Sequence, residues 1–187
     1  MNGVITQEMI QDVVSLEELK LHLRVDGELE DAYLTSLIRA AIDFAENYTR
    51  RSIVKRQVNI FLDGFSDSVI RLGTCPVQEI VQVSYENVNG EATVLPIESY
   101  RAVLDVDPPL VMPISSWPGD VLPIPGSVRV EAVVGYEQVP MSIHQAILLL
   151  CGHFYENREV MRTQYVTANE MPFSVSALLY PYKVLRW

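Results

Sequence analysis

The histidines and cysteines are the side chains of this sequence most able to carry catalysis or to bind a metal ion. If the segment after residue 140 is helical, His144 and His153 lie about 180° apart around the helix and cannot share a metal ion. His144 and Cys151 share one helix face, but seven residues of rise separate them by about 10 Å, too far for a Cys–His nucleophile pair. We therefore predict no catalytic residues and no metal ion, with Cys151 a core thiol and His144 an ordinary flanking residue.

The loop motifs of nucleotide sites and of hydrolases are absent from the sequence. The nine glycines form neither GxGxxG nor GxxxxGK[ST], and no serine lies in a GxSxG elbow. The acidic residues Asp26, Glu28, Glu30 and Asp31 lack the glycine and glutamate spacing of a calcium-binding EF-hand loop. Negative charge at the start of a helix is the simpler interpretation. We expect no cofactor, and an unrecognised enzyme stays an alternative supported only by scattered Cys, His and Asp residues.

The composition describes a globular chain with a strong acidic excess. Its 187 residues include 24 acidic and 14 basic side chains, a net charge of −10, and 49% are hydrophobic. The longest apolar run, 146–151, is far shorter than the roughly 20 residues that span a bilayer, so we expect no membrane partner. The acidic excess disfavours binding to DNA phosphates. One basic cluster, at positions 50, 51, 55 and 56, fits a helix end, with contact to nucleic acid as the alternative.

Helical patterns occur at both ends of the sequence. Ser15 followed by Glu18 predicts a capping box that starts a short helix reaching about residue 24. An apolar stripe from Tyr33 to Tyr48 at helical spacing predicts a second helix. Pro140 precedes a third, almost entirely apolar helix, and 172–180 fits a fourth, short one. We expect the intervening segment 158–170 to be an exposed connection.

The middle of the sequence is rich in Val and Ile and is punctuated by turn residues. It predicts strands at 52–62, 68–72, 77–88, 91–97, 100–106 and 127–134. The Asn89-Gly90 pair predicts a hairpin whose two turn residues adopt positive φ angles, and Asp63-Gly64 predicts a weaker turn. Segment 107–126 holds six of the eleven prolines and is predicted to be a long loop. The fold class is therefore α+β, with N-terminal and C-terminal helices packed together.

Three regions hold more apolar or aromatic surface than a minimal core requires. The third helix is apolar on nearly every side, so Leu148, Leu149 and Tyr155 are candidates for contact with another subunit or subdomain. Trp117 lies in the Pro-rich segment, and stiff aromatic side chains are favoured anchors at interfaces. The candidates for docking a partner are Trp117, Tyr182, Val184, Leu185 and Trp187. Packing of these groups on their own domain is the equal alternative.

Several segments together resemble the head-tail connector (adaptor) proteins of tailed bacteriophages, the group related to the connector of phage HK97. The segments are SLEELKLHLRVD at 15–26, DAYLTSLI at 31–38, YTRR at 48–51, GY at 135–136, VP at 139–140, HFYENRE at 153–159 and MPFSVSALLYPY at 171–182. None is a chemical signature. Their order and spacing carry the resemblance, which runs through most of the chain.

The resemblance implies a single connector domain with a structural role. The helical core would be 15–51 and 140–180, the β-rich insertion 52–136 with the Pro-rich loop 107–126, and the C-terminal tail 181–187. Such subunits form a ring, commonly twelve-fold, beneath the portal protein, extend the DNA channel, and dock the tail or head-completion proteins. DNA would pass through without specific binding. The expected location is the neck of the virion, with the host cytoplasm during assembly. The alternative from another class is a DNA-packaging accessory or DNA-binding protein.

Overall fold

The computed structural model describes residues 3–8, 13–65, 68–157 and 172–184. The chain divides into two compact units, each built from two separate stretches of sequence. The β unit comprises Met1–Ile10 and Val54–Glu137, and the helical unit comprises Gln11–Ile53 and Gln138–Trp187. In the described ranges, four α-helices in one unit and antiparallel sheets in the other confirm the predicted α+β class.

The helical unit contains the four helices that the sequence predicts. They are α1 (Leu16–Leu23), α2 (Asp31–Thr49), α3 (Met141–Glu156) and α4 (Phe173–Leu179), the last followed by a 3-10 turn at Tyr180–Tyr182. The helix cap at Ser15 is confirmed, since its Oγ accepts a hydrogen bond from the Glu18 backbone N–H at 3.2 Å. Among the described residues, no helix has both the length and the apolarity needed to cross a membrane.

The apolar helix α3 lies at the centre of the helical unit. It packs against α1, α2 and α4, and Phe154 meets Phe44 of α2 edge to face with ring centres 6.1 Å apart. Three neighbouring helices therefore bury α3 on several sides. The buried residues of α3 are Ile143, Ala146, Ile147, Leu148, Leu150, Cys151 and Phe154.

The β unit contains, among its described residues, two antiparallel sheets. Their strands are β1 (Gly3–Glu8), β2 (Arg56–Leu62), β3 (Ile70–Arg71), β4 (Val77–Glu86), β5 (Ala92–Val94), β6 (Tyr100–Val103), β7 (Leu110–Pro113) and β8 (Val128–Val134). The five-stranded sheet has the order β1-β2-β8-β4-β5, and the three-stranded sheet has the order β3-β7-β6. Alternate residues of β2 and β8 point into a shared core of Val, Ile and Leu side chains.

Two strands depart from the sequence expectations. The Pro-rich segment 107–126 is not entirely loop, because β7 lies within it and forms the middle strand of the smaller sheet. Pro109 precedes this strand and Pro113 ends it, so the backbone N–H groups of the residues between them remain available to the sheet. The other is β1, which pairs with β2 at the edge of the larger sheet and was not predicted.

The predicted hairpin between β4 and β5 is confirmed, but its turn differs from the expectation. The loop spans five residues, 87–91, because Glu86 pairs with Ala92. Only Gly90 has a positive φ, +80°, while Asn89 does not. The Asn87 side-chain oxygen accepts the backbone N–H groups of Asn89 at 2.9 Å and Glu91 at 3.0 Å. A side-chain turn at Asn87 therefore replaces the expected two-residue turn.

Candidate functional site

The residues weighed for catalysis, His144, Cys151 and His153, all lie on α3 but do not form a catalytic group. Cys151 is fully buried, and burial raises the pKa of its thiol to about 12, so the thiol is protonated at neutral pH. His144 is not a mere flanking residue, since its Nε2 lies 3.1 Å from Oε2 of Glu18 on α1. His153 Nδ1 is 3.3 Å from the amide of Asn157, one turn along the chain. Within the described ranges, no three His, Cys, Asp or Glu residues are placed to hold a metal ion together.

The Glu18 carboxylate shows why the predicted capping box is only half formed. Its backbone N–H bonds to Ser15, as expected, but its side chain turns toward His144 on α3. The carboxylate is therefore used to join α1 to a helix more than a hundred residues later. A short motif predicted the helix start correctly and could not predict the distant partner.

The three candidate contact residues on α3 have different environments. Leu148 is only 5% exposed in the single chain, so it offers little surface to a neighbouring subunit. Leu149 is half-buried. The Tyr155 hydroxyl donates a hydrogen bond to Oε2 of Glu30 at 2.6 Å, and its ring centre lies 6.3 Å from that of Tyr33. Leu149 and Tyr155 both stay partly accessible, and Tyr155 binds the loop before α2 through Glu30.

The chain after α4 stays attached to the helical unit beyond the point where a free tail was expected. Arg51 Nε donates to the Tyr182 carbonyl at 2.6 Å, and the Val184 N–H donates to the Thr49 carbonyl at 2.9 Å. The Lys183 amine lies 4.4 Å from the ring centre of Tyr48, a cation–π distance. Residues 182–184 therefore bind the C-terminal end of α2. The docking candidates Leu185 and Trp187 lie outside the described residues.

Trp117 packs on the β unit. Its ring stacks on Phe65 with centres 4.5 Å apart and planes 8° from parallel, and Phe65 in turn meets Tyr85 edge to face. The Tyr85 hydroxyl bonds to Asp120 at 3.2 Å, and burial, followed by this bond, raises the pKa of Tyr85. Trp117 is half-buried against the core of this unit. At least one face of the Trp117 indole therefore packs on the chain's own β unit, as the alternative to partner docking predicts.

Two charged surfaces lie at opposite ends of α2, and the sequence indicated their charges but not the side chains that complete them. The acidic loop, residues 26–30, precedes α2 and presents Leu29, which is fully exposed, between acidic neighbours. It is braced by an ion pair between Lys20 and Asp31 at 2.8 Å, a hydrogen bond that also raises the pKa of Lys20. The basic end consists of Tyr48, Arg50, Arg51, Tyr182 and Lys183. The helix dipole explains the charges at both ends, but it explains neither the exposed leucine nor the aromatic rings.

Comparison with known proteins agrees with this arrangement of helices and sheets. A family model described as Phage gp6-like head-tail connector protein matches residues 13–93, which run from the start of the helical unit into β5. Comparison with curated protein sequences finds no match.

Solved structures match over the whole chain. The neck of an empty GTA particle computed with C6 symmetry is 26% identical with a TM-score of 0.75. The virion of a native gene transfer agent (GTA) particle is 25% identical with a TM-score of 0.74. The neck of a native GTA particle computed with C12 symmetry is 24% identical with a TM-score of 0.73. Each match covers 100% of this chain and 97% of the other.

The fold is similar to that of neck components of phage-like particles. Within that class, residues 13–93 match the gp6-like head-tail connector proteins, as the family model describes them. The resemblance stated from the sequence is therefore confirmed. The family and the structural neighbours are described as connectors and neck components rather than as enzymes.

Proposed function

We propose that this connector is an adaptor subunit that forms a twelve-membered ring beneath the portal protein of a tailed phage or phage-like particle. The ring extends the DNA channel and offers a docking surface to the tail or to head-completion proteins. The observation that carries the proposal is the likeness, over the whole chain, to a neck structure at a TM-score of 0.75. The neck structures were computed with C6 and C12 symmetry, and a ring of twelve subunits satisfies both.

The charge of the chain supports a conduit rather than a DNA-binding surface. A net charge of −10 repels phosphates over about a Debye length, roughly 8 Å at physiological salt. DNA then slides through the ring without specific contacts. The subunit would be made in the host cytoplasm and would reside in the neck of the finished particle.

The docking role is assigned to the last residues of the chain, beyond the attachment at Val184. Leu185 and Trp187 follow directly after the segment that is bonded to Thr49 and Arg51. Aromatic and large apolar residues are typical interface anchors. On α3, Leu149 and Tyr155 remain candidates for contact between subunits.

Removing residues 185–187 tests the docking role. Attachment to purified portal-bearing heads should weaken at least about tenfold, because one buried Trp anchor is worth roughly 2 kcal/mol or more. The melting temperature of the isolated chain should stay within about 2 °C, because every contact of residues 182–184 remains. Attachment is measured by sedimentation with heads, and ring position by electron microscopy.

A second truncation serves as the matched control. Removing residues 183–187 also deletes the Val184 bond to Thr49 and the Lys183 contact with Tyr48, and should lower the melting temperature by several degrees. If the shorter truncation already lowers the melting temperature and leaves attachment unchanged, residues 185–187 belong to the chain's own core. Tight binding of duplex DNA at 0.15 M salt would contradict the proposed conduit.

A further inference from the structure

The helical unit presents two exposed surfaces of opposite charge, one at each end of α2. At the acidic loop, Leu29 has the highest exposed fraction, 102%, among the large hydrophobic side chains that the structure describes. Asp26 and Glu28 are exposed beside it. At the basic end, Arg50 is exposed and Lys183 lies over the ring of Tyr48. The acidic loop thus presents an apolar side chain among acidic residues, and the basic end presents aromatic rings among basic residues.

The acidic loop is held in position rather than loose. Lys20 binds Asp31 at 2.8 Å where the loop enters α2, and the Tyr155 hydroxyl binds Glu30 at 2.6 Å. Leu29 therefore projects from a braced segment, which lowers the ordering cost of any contact it makes. Single exposed apolar residues are common on protein surfaces, and Leu29 is distinguished by its braced position and its acidic neighbours.

The basic end is also braced. The bonds from Arg51 to the Tyr182 carbonyl and from Val184 to the Thr49 carbonyl hold the chain across the end of α2. Tyr48, Tyr182 and Lys183 are each half-buried, so part of each ring and of the lysine stem remains accessible. These groups supply the apolar contact that a leucine side chain requires, with positive charge around it.

The two surfaces of one chain cannot meet each other. Helix α2 has 19 residues and is therefore about 28 Å long. A contact between the acidic loop and a basic end must join two copies. Because the two surfaces differ, such a contact repeats head to tail, the kind of contact from which a closed ring is built.

We propose that Leu29 of one copy docks on the basic end of the next copy, with Asp26 and Glu28 beside Arg50 and Lys183. This inference rests on the proposed ring and assigns the contact that builds it. Charge complementarity sets the direction of the contact, and Leu29 provides its apolar centre.

Two charge-reversed variants test the contact. The acid-reversed variant is Asp26→Lys with Glu28→Lys, and the base-reversed variant is Arg50→Glu with Lys183→Glu. Each variant alone places like charges at every contact, so the concentration needed to fill portal-bearing heads should rise at least about tenfold. An equal mixture should restore filling, because alternating copies then carry opposite charges at every contact. Occupancy is measured by sedimentation with heads and by electron microscopy of the ring.

Matched controls change the net charge equally at other exposed positions. Arg39→Glu with Arg101→Glu matches the base-reversed variant, and Glu86→Lys with Glu98→Lys matches the acid-reversed variant. Both controls should fill heads like wild type. The Leu29→Ser variant should also weaken filling about tenfold without altering the melting temperature, because its side chain is exposed in the single chain.

The outcomes separate the inference from the proposed function. If wild type fills heads and the reversed variants fill them equally well, the contact is overturned. It is also overturned if both reversed variants fold and fail alone but their mixture fails as well. If a reversed variant misfolds, the result for Leu29→Ser decides. Failure of wild type to bind portal-bearing heads would instead overturn the proposed function, and this inference with it.

Discussion

The helical unit and the β unit hold their separated stretches of chain together by different means. In the helical unit, side-chain contacts join residues far apart in sequence, such as Glu18 with His144 and Glu30 with Tyr155. In the β unit, backbone hydrogen bonds between strands join the separated stretches, since β8 pairs on one side with β2 and on the other with β4. The helical unit is therefore expected to respond to the chemistry of individual side chains, and the β unit to the shape of its backbone.

The largest expected effect comes from filling the space at Gly135, just after β8. Its φ is +100°, and a Cβ atom there would lie 2.3 Å from the Val54 carbonyl oxygen. Backbone strain and overpacking together predict that Gly135→Val lowers the free energy of unfolding by at least about 3 kcal/mol. Urea unfolding measures the loss, and hydrogen exchange should place it in the strands of the β unit.

A second glycine provides the control. Gly90 also has a positive φ, +80°, but a Cβ atom at this position would have no neighbouring atom within 4 Å. Gly90→Ala should cost only about 1 kcal/mol, from backbone strain alone. Equal losses for the two variants would show that close backbone approach at Gly135 is not what limits the β unit.

An intermediate effect is expected in the helical unit at alkaline pH. Burial raises the pKa of Cys151 from about 9 to about 12, so the folded chain keeps a proton that the unfolded chain loses. The stabilisation is complete below pH 9 and is lost as the pH rises toward 12, at about 1.4 kcal/mol per pH unit. Between pH 9 and 10.5, wild type should lose about 2 kcal/mol more unfolding free energy than Cys151→Ala.

The comparison with Cys151→Ala isolates the thiol from other groups. Burial also raises the pKa of Tyr85 and Tyr100 in the β unit, in the same direction, and both variants keep these residues. Denaturant melts at a series of pH values provide the measurement. If the unfolding free energies of wild type and Cys151→Ala change in parallel with pH, burial does not raise the pKa of the thiol in the folded chain.

The smallest effects are expected at two local caps, one in each unit. Ser15→Ala removes the acceptor for the Glu18 N–H at the start of α1 and should cost about 0.5 to 1 kcal/mol. Asn87→Ala removes the acceptor for two backbone N–H groups in the β4–β5 loop and should cost about 1 kcal/mol. Thermal unfolding measures both. A loss above about 2 kcal/mol at Asn87 would show that this loop supports more than its own turn.

Local chemistry predicts the helices and one hairpin because their signals lie within a few residues. The stripe from Tyr33 to Tyr48 predicts α2, and Ser15 predicts the start of α1. The Asn89-Gly90 pair places the β4–β5 hairpin, although Asn87 shapes its turn. Helices α1 and α2 and the β4–β5 hairpin each follow from conformational preferences of residues close together in the sequence.

The remaining features depend on distant partners. Strand β7 has only four residues among prolines, and its ladders to β3 and β6 decide its conformation. Arg24 and Arg50 both end their helices with φ of +57°, a role for which glycine is the usual signal. The basic end needs Arg51 to meet Tyr182, 131 positions later. No local pattern contains that information.

That separation of 131 positions has a consequence during synthesis. On the ribosome, a growing chain can complete the β unit from residues up to Glu137 before α3 exists. The surface formed by Tyr48, Arg51 and Lys183 stays incomplete until residue 184 has emerged. Under the proposed head-to-tail contact, a chain still being translated exposes Leu29 but offers no place for the next copy. Two chains still being translated therefore cannot join through this contact, which requires at least one subunit translated through residue 184.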